Sequence, residues 1–343
     1  MSTNDAVLAL QLPFHQGSLQ LPSHSLFLRA RAGLDRVLFP PARIACEQTF
    51  KPWANALIEA GFALPARPSG PHAMVLLLPP RQRLEARATL ARAFEFAGEA
   101  GIVVASQSNE EGGRTLLGDM QKLSGGQVQN LSKHHCRVAW SLPAGRELNR
   151  PLLAEWLALD APREIEDGRL LSRPGVFSWD RIDVGSAFLA EHLPADLAGE
   201  GADLGAGIGY LSCELLSRCE RISALDLFEA EARALELATH NLSGFTDRAQ
   251  LRFEWHDVSA GLPRSYDFIV SNPPFHTGRA EQPQLGLAFI RAAAAALRPA
   301  GRLLIVANRH LPYENDMRLH FASMRMLADG CGFKVLEGVK AKS

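Results

Sequence analysis

Asn272-Pro273-Pro274-Phe275 is the stretch of this chain best suited to chemistry. It closes the run Tyr266-Asp267-Phe268-Ile269-Val270-Ser271, which reads as a buried strand. Proline has no N–H, so a ladder must stop at Pro273 and Pro274 and leave carbonyls that no neighbouring strand claims. A side-chain amide, those carbonyls and an aromatic ring at the carboxyl edge of a sheet suit a planar amino group. Asn272 and the Pro273 carbonyl would each accept one N–H, and Phe275 would stack on the ring behind it. An amine whose lone pair is delocalised into a ring is a poor nucleophile. Two acceptors orient that lone pair and stabilise the positive charge that develops on nitrogen. Ordinary core packing is the alternative for Phe275, and a plain loop position for His276.

A group to be transferred needs a carrier, and a second stretch is built to hold one. Asp203-Leu204-Gly205-Ala206-Gly207-Ile208-Gly209 leads into a helical segment, Leu211 to Leu216, so a tight turn sets backbone and a helix N-terminus against a ligand. A dinucleotide fingerprint would put its third glycine at 210, where Tyr210 stands, and the spacing is closer to a turn for S-adenosylmethionine. Ile222-Ser223-Ala224-Leu225-Asp226 reads as the next strand, ending in a carboxylate about twenty residues after the turn, where an acid can accept ribose hydroxyls. Leu251 to Val258 reads as another, with Asp257 placed for an adenine amino group. Either acid alone could be a helix cap. In series they make one expected cofactor set: Asp203, Gly205, Gly207, Gly209, Asp226, Asp257 and Asn272. The late strand Gly301 to Asn308 brings Asn308, Arg309 and Tyr313 toward the same edge, as candidates for a base or phosphate path or as capping and turn residues. His134 and His135, read as adjacent strand residues, would face opposite ways, and no metal site is expected.

The elements that position these residues fit an α/β protein of two domains, for which 343 residues with 47% hydrophobic and 21% charged content suffice. Strand and helix alternate in both halves. Laid over itself, the chain matches Val75-Leu76-Leu77-Leu78-Pro79-Pro80 with Ile269-Val270-Ser271-Asn272-Pro273-Pro274. Each is followed by an alanine-rich helix and then a strand led by Gly101 or Gly301. Two copies of one unit are expected, 1–165 and 166–343, joined by a connection over 144–166. The first copy has Leu78 where Asn272 stands, no aromatic after Pro80 and no glycine turn, so it is expected to be a degenerate platform. Residues 1–26 read as an irregular lead-in or short strands. The loop from Pro174 to Ser186 could close over a ligand or only turn a corner.

Cys46, Cys136, Cys213, Cys219 and Cys331 lack metal or redox spacing and read as reduced packing residues. A formal net charge of -1 argues against coating nucleic acid through bulk charge. Arg29, Arg31, Arg36 and Arg43, facing only Asp35, could form a local phosphate-contacting face or a merely solvated one. No basic flank precedes an apolar run at the start, and no run approaches a membrane span, so a cytoplasmic protein without membrane contact is expected.

Asp203-x-Gly205-x-Gly207-x-Gly209, Asp226, Asp257, Asn272-Pro-Pro-Phe275 and Ala307-Asn308-Arg309-His310-Leu311-Pro312-Tyr313 together resemble the bacterial ribosomal RNA guanine-N2 methyltransferases. The likeness extends to Gly175-Val176-Phe177-Ser178 and Asp183-x-Gly185-Ser186, and in length and layout it is nearest the small-subunit (16S) type. Ala206 departs from it, where many methyltransferases carry cysteine. The resemblance implies two tandem Rossmann-like methyltransferase domains. The C-terminal one would bind S-adenosylmethionine and methylate a guanine amine in ribosomal RNA, and the N-terminal one would be degenerate. Large-subunit guanine-N2 or adenine-N6 methylation and a non-catalytic RNA-binding assembly factor are the alternatives. No protein partner follows from the residues.

Overall fold

The computed structural model describes residues 4–143, 147–274, 276–277, 280–281 and 283–342. The chain divides into two compact units, Met1–Ala161 with Arg173–Gly175, and Pro162–Ser172 with Val176–Ser343.

In chain order the first unit consists of α1 (Asn4–Leu10), α2 (Leu12–His15), β1 (Ser25–Leu28), β2 (Ile44–Glu47), α3 (Lys51–Glu59), β3 (Met74–Leu77), α4 (Arg83–Ala97), β4 (Ile102–Ser108), α5 (Arg114–Ser124), β5 (Val128–Lys133), β6 (Cys136–Ser141) and α6 (Arg150–Leu157). Its sheet order is β2-β1-β3-β4-β6-β5. The first four strands are parallel, and β6 is antiparallel to both β4 and β5. Both faces are covered, which is why β1 and β3 are buried at every position rather than alternating, with Ser25 the one polar residue among them.

Three readings of this half change. Residues 4–15 are helical, with Val7, Leu10 and Phe14 buried on one face. Pro13 sits in the first turn of α2, where its missing N–H has no helical partner to lose. α6, read as part of a connection, belongs to the first unit, where Leu153 and Trp156 join the core beneath α4. His134 and His135, read as strand residues, form the two-residue turn between β5 and β6, both at positive φ.

The second unit runs β7 (Arg163–Ile165), β8 (Leu170–Ser172), α7 (Val184–Glu191), β9 (Ala198–Leu204), α8 (Tyr210–Arg218), β10 (Arg221–Glu229), α9 (Ala232–Asn241), β11 (Gln250–Trp255), β12 (Tyr266–Ser271), β13 (His276–Thr277), β14 (Ala280–Glu281), α10 (Pro283–Ala296), β15 (Leu297–Asn308), α11 (Tyr313–His320), β16 (Ser323–Gly330) and β17 (Phe333–Val339). The order of its main sheet is β11-β10-β9-β12-β15-β17-β16. The first five strands are parallel, and β17 is antiparallel to both its neighbours. One apolar layer gathers Leu189, Leu211, Leu215 and Leu237 with Leu225 and Val270. The other gathers Phe289, Ile290, Ala293, Tyr313 and Met317 with Ile269 and Ile305. The first sheet has the order of the second with the β11 edge removed, so that β1, β3 and β4 hold the places of β9, β12 and β15. Among the described residues, no helix is long and apolar enough to cross a membrane.

Candidate functional site

Strand register creates the site. β12 pairs with β9 so that Ser271 lies opposite Leu204, and the Ser271 hydroxyl donates to the Leu204 carbonyl at 2.8 Å. Asn272 therefore emerges level with Gly205. The two stretches singled out in sequence, 67 residues apart, share one sheet edge.

Gly205, Gly207 and Gly209 all have positive φ. The position of Gly207 has open space around a would-be Cβ, so glycine is needed for its backbone conformation, and any side chain would project toward the ligand side. Gly209 meets a tighter limit, since a Cβ would come within 2.7 Å of Leu242 where α8 and α9 pack. The turn, Phe177, Ser178, Arg181, Asp183, Ser186 and Asn272 line one cavity. The segment from Phe177 to Ser186, part of the 174–186 loop, thus forms a wall of the site.

Two buried acceptor oxygens in this region have no hydrogen-bond partner among the described residues. Asn272 donates through Nδ2 to Asp183 Oδ2 at 2.9 Å and to Ser186 Oγ at 2.7 Å, while its buried Oδ1 has no partner among the described residues. Asp203 is fully buried, with Oδ2 accepting from the Ser212 hydroxyl at 2.8 Å and Oδ1 unpartnered among the described residues. Burial pushes the Asp203 carboxyl up to about 7, a rise that the Ser212 hydrogen bond opposes and the nearby Glu229 charge reinforces. A buried carboxyl with an empty lone pair beside a second acid is suited to a cation.

That second acid is Glu229, and it corrects the placement of Asp226. β10 runs three residues beyond Asp226, and its register pairs Phe228, not Asp226, with the last residue of β9. Glu229 therefore stands at the strand end. Its Oε2 accepts from Gly207 N at 2.8 Å and its Oε1 from Glu231 N at 2.8 Å. Burial raises its pKa, with the backbone hydrogen bonds opposing the rise. Asp226 is mid-strand, fully buried and engaged by Arg252 (2.8 Å), Arg264 (2.7 Å) and the Tyr266 hydroxyl (2.8 Å), so its carboxylate ties the sheet together and is not presented to a ligand. The signal for Glu229 was in the chain, because the apolar residues of β10 resume after Asp226 with Leu227 and Phe228.

Asp257 follows β11 and caps the next turn, its Oδ1 accepting from the Ser259 N and Oγ, while the adjoining His256 N bonds the Glu229 carbonyl. It stands at the same sheet edge as Glu229. Asn308 ends β15 at that edge too. Arg309 turns outward to pair with Asp329. Tyr313 is a core residue, fully buried against α10 with its hydroxyl over Gly286, and burial pushes its pKa up to about 12; it does not line a substrate path. Phe275 lies outside the described residues.

The arginine face expected in the first unit is not one face. Arg29 follows the carboxyl end of β1 and pairs with Glu85 at 3.5 Å and Thr49 at 3.1 Å, whereas Arg43 precedes β2, at the opposite end of parallel strands. The Arg31 guanidinium lies 3.8 Å over the Trp53 ring, and desolvation lowers its pKa to about 10. Arg36 donates to the Ala60 carbonyl.

Residues 167–337 match the family model described as Methyltransferase small domain. A curated relative, Ribosomal RNA small subunit methyltransferase C of Pseudomonas aeruginosa, is 36% identical over 210 residues, 60% of this chain and 60% of the relative. Ribosomal RNA large subunit methyltransferase G of Alcanivorax borkumensis is 34% identical over 169 residues, 49% of this chain and 43% of the relative. The match thus spans about 60% of the length of the small-subunit relatives. A solved T. thermophilus structure, described as a 16S rRNA N2 methyltransferase (RsmC) in complex with AdoMet and guanosine, superposes with a TM-score of 0.80 at 22% identity, covering 98% of this chain and 92% of that one. At that identity the likeness speaks for the fold, an α/β methyltransferase fold.

Proposed function

We propose that this chain, whose second unit matches the methyltransferase small domain, transfers a methyl group from S-adenosylmethionine to the exocyclic N2 amine of a guanine in 16S ribosomal RNA. The observation that carries the reading is the Asn272 amide. Its nitrogen is held by Asp183 and Ser186, and its buried oxygen, beside the glycine turn, has no partner among the described residues. The names of the small-subunit relatives supply the substrate class.

The residues fit the cofactor. Gly205 and Gly207 line the cavity while Gly209 lets the turn close beneath them; Glu229, rather than Asp226, would accept from the ribose hydroxyls, and Asp257 would accept from the adenine amine. The open Asp203 oxygen suits positive charge. When bound, S-adenosylmethionine supplies an electrophilic methyl on a sulfonium. Asn272 Oδ1 and the Pro273 carbonyl accept the two N–H of the guanine amine, hold its lone pair in line and stabilise charge as it grows on nitrogen. No strong base is needed, because the amine proton becomes acidic once the nitrogen carries a fourth bond. Phe275 would stack on the base, with Asn308 at the same sheet edge along the approach, while Arg309 is held away by Asp329. A base within a duplex cannot reach such an edge, so the guanine must be unpaired or flipped. Such a substrate implies a cytoplasmic site of action.

The first unit reads as a degenerate copy joined in tandem, and three features support this. Its strands follow the order of the second sheet. Arg29, at φ 53°, occupies the position of Gly205 directly after the first central strand. The Gln107 amide donates to the Pro79 and Pro80 carbonyls at 3.3 and 3.0 Å, filling from within the place where an acceptor amine would bind.

Asn272→Ala is expected to lower methyl transfer roughly 10²–10³-fold, the loss typical of one transition-state hydrogen bond, with cofactor affinity nearly unchanged. A variant that keeps most of its turnover would refute the pocket assignment.

A further inference from the structure

The open oxygen of Asn272 owes its orientation to one loop, and we infer that Asp183 is a positioning residue that both fixes and polarises this amide. The inference rests on the reading of Asn272 as the acceptor of the substrate amine. A carboxylate can only accept, so the Asn272 group facing Asp183 Oδ2 at 2.9 Å must be its NH2, and Oδ1 is forced to the opposite side. Ser186 Oγ, at 2.7 Å, takes the other N–H. With both hydrogens committed, a flip of the amide would break two hydrogen bonds and turn an oxygen toward a carboxylate.

Charge adds to geometry. A hydrogen bond from an amide to a carboxylate is roughly twice as strong as a neutral one. It draws electron density toward Oδ1, and bonds in such chains strengthen one another. The Asn272 oxygen is thereby a stronger acceptor as the amine nitrogen gains positive charge, and the effect belongs to the transition state more than to binding.

The loop is built for this task. Asp183 Oδ2 also accepts from Ser186 N at 2.9 Å, capping α7 and so holding the second acceptor of the pair in place. A side chain at Gly185 between them would crowd the pair: a Cβ would lie 3.0 Å from Asp183 Oδ2 and 3.0 Å from the Phe333 ring. The spacing Asp-x-Gly-Ser is thus what anchoring Asn272 requires, 86 residues away in the chain.

The test uses the full chain, labelled S-adenosylmethionine and unmodified 16S ribosomal RNA. Asp183→Asn keeps the cap and the hydrogen-bonding shape but removes the charge, and kcat should fall roughly five- to twenty-fold, with RNA KM and cofactor Kd changed less than about threefold. Ser186→Ala should give a smaller loss of the same kind, and Asp183→Ala a larger one than Asp183→Asn. In an Asn272→Ala background, Asp183→Asn should cause no further loss. Thermal unfolding of each variant separates a lost fold from a lost rate. An undiminished kcat in Asp183→Asn, or losses that multiply with Asn272→Ala, would overturn this inference and leave the proposed function standing. If Asn272→Ala itself keeps full activity, or the parent chain transfers no methyl, the underlying reading fails and this one with it.

Discussion

Asn272 follows the last residue of β12 and precedes two prolines, and its amide nitrogen is held by Asp183 and Ser186. What the sequence could not supply was the anchor, since Asp183 and Ser186 meet Asn272 only through the fold. The same holds for the buried acids. Asp203 was recognisable as part of a turn, but its raised pKa comes from burial and from Glu229, which three-dimensional packing alone brings near. The sign of the consequence can be worked out. The folded chain keeps a proton on Asp203 up to about pH 7, whereas the unfolded chain releases it near the ordinary carboxylate value of 3.8. Between these values the folded state binds more protons, so this group's contribution to stability declines as pH rises through that window and is flat above it. Thermal unfolding of the ligand-free chain against Asp203→Asn should show the parent losing stability relative to the variant from pH 4 to 7. A cationic ligand favours the ionised acid. Affinity for S-adenosylmethionine should therefore improve as pH rises toward 7, by up to roughly tenfold per unit, and this dependence should vanish in the variant.

At the scale of elements, the apolar runs of β3, β4 and β12 were readable because strands covered on both faces need no alternation. β1 and β2 were missed. They have four residues each and lie beside arginines that suggested surface, although Arg29 and Arg31 are held by Glu85 and Trp53. The length of β10 mattered most for the site. Reading it as ending at Asp226 assigned the cofactor role to an acid that instead joins β10, β11 and β12 through Arg252 and Tyr266. Two substitutions separate the roles. Asp226→Ala leaves a buried tyrosine hydroxyl and two partly hydrated guanidinium groups without their partner, and should cost about 1–3 kcal/mol of stability while the folded protein binds cofactor normally. Glu229→Gln reproduces what the first unit has at Gln48, whose Oε1 accepts from Phe50 N as that of Glu229 does from Glu231 N. It should weaken cofactor binding roughly tenfold or more with little change in melting temperature. Calorimetry and thermal unfolding of both variants would show whether the roles are assigned the right way round.

For the molecule as a whole, the two-unit layout was visible as a repeated rhythm of strand, double proline, alanine-rich helix and glycine-led strand. The matching strand orders are a stronger form of the same observation. What the rhythm could not reveal was how the first unit would satisfy its own sheet edge, since the Gln107 side chain reaching Pro79 and Pro80 leaves no mark in the spacing. Because that edge is occupied and lacks a glycine turn, titration with S-adenosylmethionine should give one site per chain, abolished by Gly207→Asp. The central claim concerns the product. Unmodified 16S ribosomal RNA incubated with the full chain and S-adenosylmethionine, digested to nucleosides and analysed by mass spectrometry, should contain N2-methylguanosine, and RNA treated with Asn272→Ala should contain almost none. N6-methyladenosine in its place, methylation confined to large-subunit RNA, or no methylated nucleoside at all would contradict the account.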